Sequence, residues 1–205
     1  MTTTSNDLNW HFNKTEQRRL KRDIVLKVAA ECFNEKGISG TSLKDVAKKL
    51  SITDAALYYY VKNKEELVTL CYMRALDLGA QALDQAMAQG QTNLERLQLY
   101  IRFQLEYVCG EDGPVAILSE IPSLKPEHQK TIRSRSSQHT KRITQLLIDG
   151  VAEGSIATDN PTITCDAILG AVNWTPKWFK ANAGLSGEQI AEAFNQAFTQ
   201  GLLPR

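Results

Sequence analysis

No stretch of this 205-residue chain approaches 18 uninterrupted apolar residues, which excludes a transmembrane helix. The polar start, 1–13, lacks the apolar core of a secretory signal and is expected as a flexible tail, so the protein is expected in the cytoplasm, with no membrane partner. Cysteine is scarce. Cys32, Cys71, Cys109 and Cys165 lie far apart with no CxxC pairing, which favours buried reduced thiols over disulfides or metal ligands. His11, His128 and His139 are scattered, and no metal site is expected. There is no nucleophile elbow, no P-loop and no dinucleotide-binding glycine motif, so neither catalytic residues nor a cofactor is expected and the chain does not read as an enzyme. Gly (12) and Pro (6) are not enriched, and 42% hydrophobic with 23% charged residues excludes a disordered or fibrous chain. Excess charge is also missing: the net value is +1. Its distribution is uneven, with 12 Lys and Arg against 9 Asp and Glu in 1–70 and 12 against 14 in the remainder. The N-terminal third is the basic part, which is compatible with a nucleic-acid surface.

What the chain has in abundance is helical periodicity, with no sustained period-two run bounded by hairpin turns. An all-α fold is expected. The first helix is placed at 16–35, with Leu20, Ile24, Val28 and Cys32 at four-residue steps, Val25 and Phe33 widening the stripe, and Gly37 as its stop. Arg18, Arg19, Lys21 and Arg22 lie on its outer face, either solvated or in contact with DNA. Two short helices follow at 42–50 and 54–60. A helix capped by Asn63 then runs from Lys64 to Gly90, about 39 Å at 1.5 Å per residue, long enough to bridge two domains. Further helices are expected at 93–109, 115–119, 126–153, 160–180 and 186–199. Their signals are Pro126 and Pro161 at first helical positions, Gly154 at a stop, and a capping box of Ser186 with Gln189.

The stretch 41–67 carries the chemistry. Leu43, Val46, Ala47 and Leu50 form the inward face of one short helix, and Ile52 in the turn plugs the gap to a second, whose inward positions are Ala56, Leu57 and Tyr60. Two short helices joined by a tight turn make a helix-turn-helix, which lays its second helix in the DNA major groove. Thr41, Ser42, Lys44, Tyr58, Tyr59 and Lys64 are candidate phosphate contacts, since hydroxyls, ammonium groups and helix N-termini bind phosphate oxygens and fix register without reading sequence. Thr53, Asp54 and Ala55 are candidates for the base edges: the carboxylate accepts from cytosine and the methyl touches thymine.

These residues also carry a resemblance. Phe33 with Gly37, then Thr41-Ser42-Leu43, Asp45-Val46-Ala47, and the run Leu57-Tyr58-Tyr59-Tyr60-Val61-Lys62-Asn63-Lys64-Glu65-Glu66-Leu67 closely resemble the DNA-binding domain of the tetracycline-repressor (TetR) family over 17–70. Two positions depart from the family pattern: Ser51 stands where glycine is frequent, and Tyr60-Val61 where His-Phe is frequent. The resemblance implies a helical homodimer whose three-helix head, 14–62, binds a palindromic double-stranded DNA operator. It also implies a body, 63–205, that binds a small-molecule inducer and dimerises through its last two helices. The candidate dimer residues are Ile163, Ala167 and Gly170 on one of these, and Ile190, Ala193, Phe194, Ala197 and Phe198 on the other. Inducer in the body then moves the long bridging helix and the spacing of the two heads, weakening operator binding.

In the body, the run Leu169-Gly170-Ala171-Val172-Asn173-Trp174-Thr175-Pro176-Lys177-Trp178-Phe179 is similar to the C-terminal domain of regulators of fatty-acid and steroid catabolism. Those respond to acyl-CoA thioesters. Pro176 removes a helical N–H, so a kink is expected there, and a kinked helix bearing two indoles can edge a cavity. Candidate ligand walls are Leu99, Phe103, Tyr107, Ile117, Leu118, Leu146 or Leu147, Trp174 and Trp178, with Arg133, Arg135, Lys141 and Arg142 facing coenzyme A phosphates or simply solvent. The tryptophans serve equally as packing residues. The rivals are a repressor responding to drugs or small aromatics, a regulator that needs no ligand, and an enzyme acting on its bound acyl group.

Overall fold

The computed structural model describes residues 5–110, 124–179 and 184–201, and among these every regular element is an α-helix. In order they are α1 (Ser5–Gly40), α2 (Leu43–Lys49), α3 (Asp54–Tyr58), α4 (Lys64–Gln89), α5 (Asn93–Cys109), α6 (Pro126–Glu153), α7 (Pro161–Trp178) and α8 (Gly187–Gln200). The expected short helix at 115–119 lies outside the described residues. Local chemistry fixes several boundaries. The Asn63 side chain accepts from the Glu66 N–H at the start of α4. Thr92 and Glu95 form a capping box before α5, and Gly154, at φ 80°, closes α6.

The helices build two hydrophobic clusters. The first gathers Val25, Leu26, Ala29, Ala30 and Phe33 of α1 with Val46, Leu57 and Val61, and is covered by Leu67, Val68, Cys71, Tyr72 and Leu76 of α4 and by Ile132 of α6. The second joins Ala82, Leu83 and Ala86 of α4 to Leu97, Tyr100, Ile101 and Leu105 of α5, Ile143, Leu146 and Leu147 of α6, Ile168 and Val172 of α7, and Ile190 of α8. One continuous helix, α4, therefore serves both clusters and passes from one to the other near Gly79. On its outer side, α4 is tied to α6 by Asp77 with Arg135 and Asp84 with Arg142, each pair at 2.6 Å, and by Glu65 with Lys125 and His128. At the far end the Glu153 carboxylate accepts from the Asn93 backbone N–H at 2.6 Å and from its side-chain amide at 2.7 Å, joining the end of α6 to the start of α5.

α1 corrects the expected register. Its helical backbone begins at Ser5 and is interrupted at Gly37 (φ 75°, ψ 163°), a conformation that suits glycine. Leu20 and Ile24, expected inside, are more than half exposed. The buried face is set instead by adjacent pairs, Val25-Leu26, Ala29-Ala30 and Cys32-Phe33, which turn the apolar stripe away from Leu20 and Ile24. Cys32, Cys71 and Cys165 are buried free thiols and Cys109 is half-buried. Burial raises the thiol pKa at all four, to about 12 at Cys71.

Candidate DNA-binding face and ligand cavity

The helix-turn-helix is held by its own caps. Ser42 accepts from the Asp45 N–H while the Asp45 carboxylate accepts from the Ser42 backbone N–H (2.8 Å) and hydroxyl (2.6 Å). Those hydrogen bonds hold the Asp45 carboxyl below the usual carboxylate range, with the Lys36 ammonium nearby adding to the effect. The Ala47 carbonyl receives the Ile52 N–H at 3.0 Å, which closes the turn, and Ile52 packs partly buried against the first cluster. Ser51 occupies this turn at φ 56°. A glycine takes that conformation without steric penalty, whereas a side chain costs about 1 kcal/mol, so the departure from the family pattern carries a local strain. Thr53 caps α3 by accepting from the Ala56 N–H.

The candidate contacts divide into groups. Ser42, Lys44, Thr53, Asp54, Ala55, Tyr58 and Tyr59 are all exposed or half-exposed. Tyr58 and Tyr59 are 55% and 60% exposed, too much for two adjacent aromatic side chains whose role is core packing. The Arg18 guanidinium lies 5.0 Å from the centre of the Tyr59 ring, which in turn meets Tyr60 edge-on at 5.2 Å. That contact brings a cation of α1, whose role the sequence alone leaves open, to the end of α3. Thr41 is a correction. It is 2% exposed and its hydroxyl donates to the Cys32 and Gly37 carbonyls, so its side chain closes the end of α1 instead of facing phosphate. Lys64 is half-buried, with its ammonium 3.4 Å from the Ser39 carbonyl, where it steadies the link between α1 and α2. Ala56, expected inside, is exposed, while Leu57 is buried and Tyr60 half-buried as expected.

In the body, a cavity of about 250 Å³ lies against α4 where the two clusters meet. Ala75, Leu76 and Gly79 of α4, Tyr100, Gln104 and Val108 of α5, Ser136, His139 and Thr140 of α6, and Asp166, Leu169, Asn173 and Pro176 of α7 line it. None of the expected wall residues within the described part of the chain is among them. Leu99, Phe103 and Tyr107 sit partly buried against the second cluster, and the Tyr107 hydroxyl donates to Gln85 at 3.2 Å. Leu147 is fully buried within that cluster and Leu146 nearly so. Trp174 and Trp178 are 56% and 44% exposed, on the outside of α7. Ile117 and Leu118 lie outside the described residues. Of the Asn-Trp signature it is Asn173 that reaches the cavity, together with Pro176, which lies inside α7. The lining on α5 follows the step Tyr100, Gln104, Val108, one residue on from the expected stripe.

Ser136 and Thr140 also line an adjoining groove of about 760 Å³, which carries Arg133, Lys141, Thr144, Gln145 and Thr162. Arg135 and Arg142, grouped with them in the sequence, are instead engaged by Asp77 and Asp84. The last two helices present a further surface. Ile163, Ala167, Gly170, Trp174 and Trp178 recur at helical spacing on α7 and are all exposed, and on α8 Ala193, Ala197 and Phe198 are exposed or half-exposed as well. Ile190 is a correction: at 3% exposure it belongs to the second cluster, and Phe194 is partly buried against the same cluster.

Comparison with known proteins agrees with this architecture. Residues 90–202 match the family model for the tetracyclin repressor-like C-terminal domain, and residues 25–71 match that for bacterial regulatory proteins of the tetR family. The HTH-type transcriptional repressor KstR2 of Mycolicibacterium smegmatis is 25% identical over 182 residues, covering 85% of this chain and 86% of the relative. PfmR, a TetR family transcriptional regulator from Thermus thermophilus, has a crystal structure similar at a TM-score of 0.75 and 27% identity, over 88% of this chain and 99% of that one. AibR, crystallised with isovaleryl coenzyme A and operator DNA, is similar at a TM-score of 0.71 and 27% identity, over 85% of this chain and 96% of that one. With a helix-turn-helix at one end of α4 and a helical body around the other, the chain belongs to the tetR family of bacterial regulatory proteins and is a DNA-binding transcription regulator.

Proposed function

We propose that this protein is a repressor that binds a palindromic operator as a homodimer and releases it on binding a small acyl-CoA thioester. The observation that carries the ligand class is that Ser136 and Thr140 line both the cavity and the groove. The cavity is small, which suits a short acyl group. The groove outside it carries Arg133 and Lys141, which suit the phosphates of the coenzyme. AibR, of the same fold, was crystallised with a thioester of this kind and with operator DNA. Asn173 and Pro176 connect ligand to head. They line the cavity about one turn or less from Lys177, whose ammonium reaches the Asn34 carbonyl of α1 at 3.4 Å. Leu76, buried with the head cluster, forms part of the same cavity wall. A ligand that fits only one setting of these contacts shifts the head between DNA-competent and incompetent arrangements by its differential affinity, about 1 to 3 kcal/mol in typical cases.

The test is thermal melting of the purified protein against acyl-CoA thioesters, free fatty acids and neutral aromatic drugs, followed by operator release with whichever class stabilises it. Short-chain thioesters are expected to raise the melting temperature and release DNA, and Arg133→Glu with Lys141→Glu to abolish both effects. A response confined to neutral drugs and indifferent to those charge reversals would replace this reading with that of a drug-responsive repressor. DNA binding unchanged by every class would leave a ligand-independent regulator.

A further inference from the structure

The cavity wall contains polar groups that an all-hydrocarbon occupant leaves unsatisfied. Gln104 is 4% exposed, and its carbonyl oxygen has no hydrogen-bond partner. His139 pairs through Nε2 with the Tyr100 hydroxyl at 3.0 Å, leaving its buried Nδ1 without one. Both side chains border the space left by Gly79: a methyl group there would meet His139 Nε2 at 3.4 Å and Gln104 Oε1 at 3.5 Å. Burying such an atom unpaired is destabilising by about 1 to 3 kcal/mol, so Gln104 Oε1, set beside Gly79 on the cavity wall, marks a place where a partner is supplied from outside the chain. The groups also constrain that partner. An amide both accepts and donates, and the imidazole does either according to which nitrogen carries the proton, so hydroxyl and keto oxygens are both served. Among the described residues no Lys or Arg lines the cavity and Asp166 is its one carboxylate, which disfavours an anionic group inside. The volume, about 250 Å³, lies between a benzene-sized void of about 150 Å³ and the lower limit of drug-sized pockets at about 300 Å³.

We propose that the group buried here is a short, uncharged acyl chain or small ring bearing its own hydroxyl or keto oxygen, which Gln104 and His139 hydrogen-bond. The regulator thereby responds to oxygenated acyl groups in preference to saturated ones. The thioester form of the ligand rests on the function proposed above; the oxygen preference rests on the cavity alone.

Calorimetric titration of the full-length protein tests both parts separately. One series comprises hexanoyl-, 3-hydroxyhexanoyl-, 5-hydroxyhexanoyl- and 5-oxohexanoyl-CoA. The second carries the same acyl groups on N-acetylcysteamine, which lacks the coenzyme phosphates. At least one oxygenated member is expected to bind about tenfold or more tighter than its hexanoyl counterpart, because a site built around polar groups rejects the analogue that leaves them unpaired. Gln104→Leu, of similar volume, is expected to bring that ratio to within about threefold by weakening the oxygenated member more than the hexanoyl one. Hexanoyl compounds that bind as tightly as every oxygenated one, a ratio unchanged by Gln104→Leu, or no binding in either series would overturn the proposal, and the first and last need no variant. An oxygen preference in the N-acetylcysteamine series without binding of any CoA thioester would uphold it while removing the coenzyme A reading. CoA thioesters that bind without an oxygen preference would do the reverse.

Discussion

Burial holds the His139 imidazole in its neutral form, with the Arg142 guanidinium adding to the effect and Asp84 opposing it, so its pKa falls from 6.5 to about 4. The sign of the consequence follows from proton counting. Above pH 6.5 the imidazole is neutral whether the chain is folded or not. Between 6.5 and about 4 the unfolded chain binds a proton that the folded one refuses, so stability falls as pH falls through this window, by at most about 3 kcal/mol. Urea unfolding of the wild type and of His139→Gln over this range is expected to show a shallower decline in the variant. Parallel curves would mean that the folded imidazole takes its proton normally. Tyr100 shares this environment, and burial raises its pKa too, so its hydroxyl keeps its proton as it pairs with His139. Thr41 illustrates a different residue-scale limit. Its hydroxyl has the chemistry of a phosphate ligand, but at the close of α1 the carbonyls of Cys32 and Gly37 are nearer claimants.

Among the elements, α2 and α3 present the DNA-binding candidates. Lys44 stands on the outer side of α2, and Tyr58 is exposed on α3. Lys44→Ala is expected to weaken binding to all DNA sequences alike and to reduce the slope of log affinity against log salt by about 1; Tyr58→Ala is expected to weaken binding just as uniformly. A change of sequence preference at constant slope in a filter-binding salt titration would make Lys44 a base-reading residue instead. How much of each element was legible depended on where its signal lay. Boundaries of α4 and α6 could be read because Asn63, Pro126 and Gly154 announce them locally. The cavity face of α5 could not. That helix packs against α4, α6, α7 and α8, so apolar periodicity marks core on several sides and does not say which side borders a void. Leu99, Phe103 and Tyr107 made the more hydrophobic stripe, while Tyr100 and Gln104 border the void with polar atoms. Polar residues at a four-residue step within an otherwise apolar helix were the signal available. The two tryptophans stayed ambiguous in the sequence for a related reason: their size suits a pocket wall and an exposed interface equally, and sequence carries no sign of which way α7 is turned.

For the whole molecule, the exposed stripe Ile163, Ala167, Gly170, Trp174 and Trp178 is an apolar face of the kind that monomeric proteins rarely leave to water. Nothing within 4 Å would meet a side chain added at Gly170, so α7 there is open to close approach by a second copy. In the homodimer proposed above, a two-fold pairing would set each stripe against its mate, and one charge would be buried twice. Ala167→Asp is therefore expected to yield monomers in sedimentation equilibrium, with melting of the head preserved and operator affinity reduced, whereas a wild type that sediments as a monomer would refute the homodimer. The cavity beneath α4 has a consequence of another kind. Space that sits between two cores and is walled by Leu76, Ala75 and Gly79 is also the place where larger side chains would most readily tighten the protein. On the function proposed above, heat tolerance and the capacity to hear a signal compete for one volume, and a lineage or a laboratory selecting only for robustness would drift toward a sturdier regulator that no longer listens.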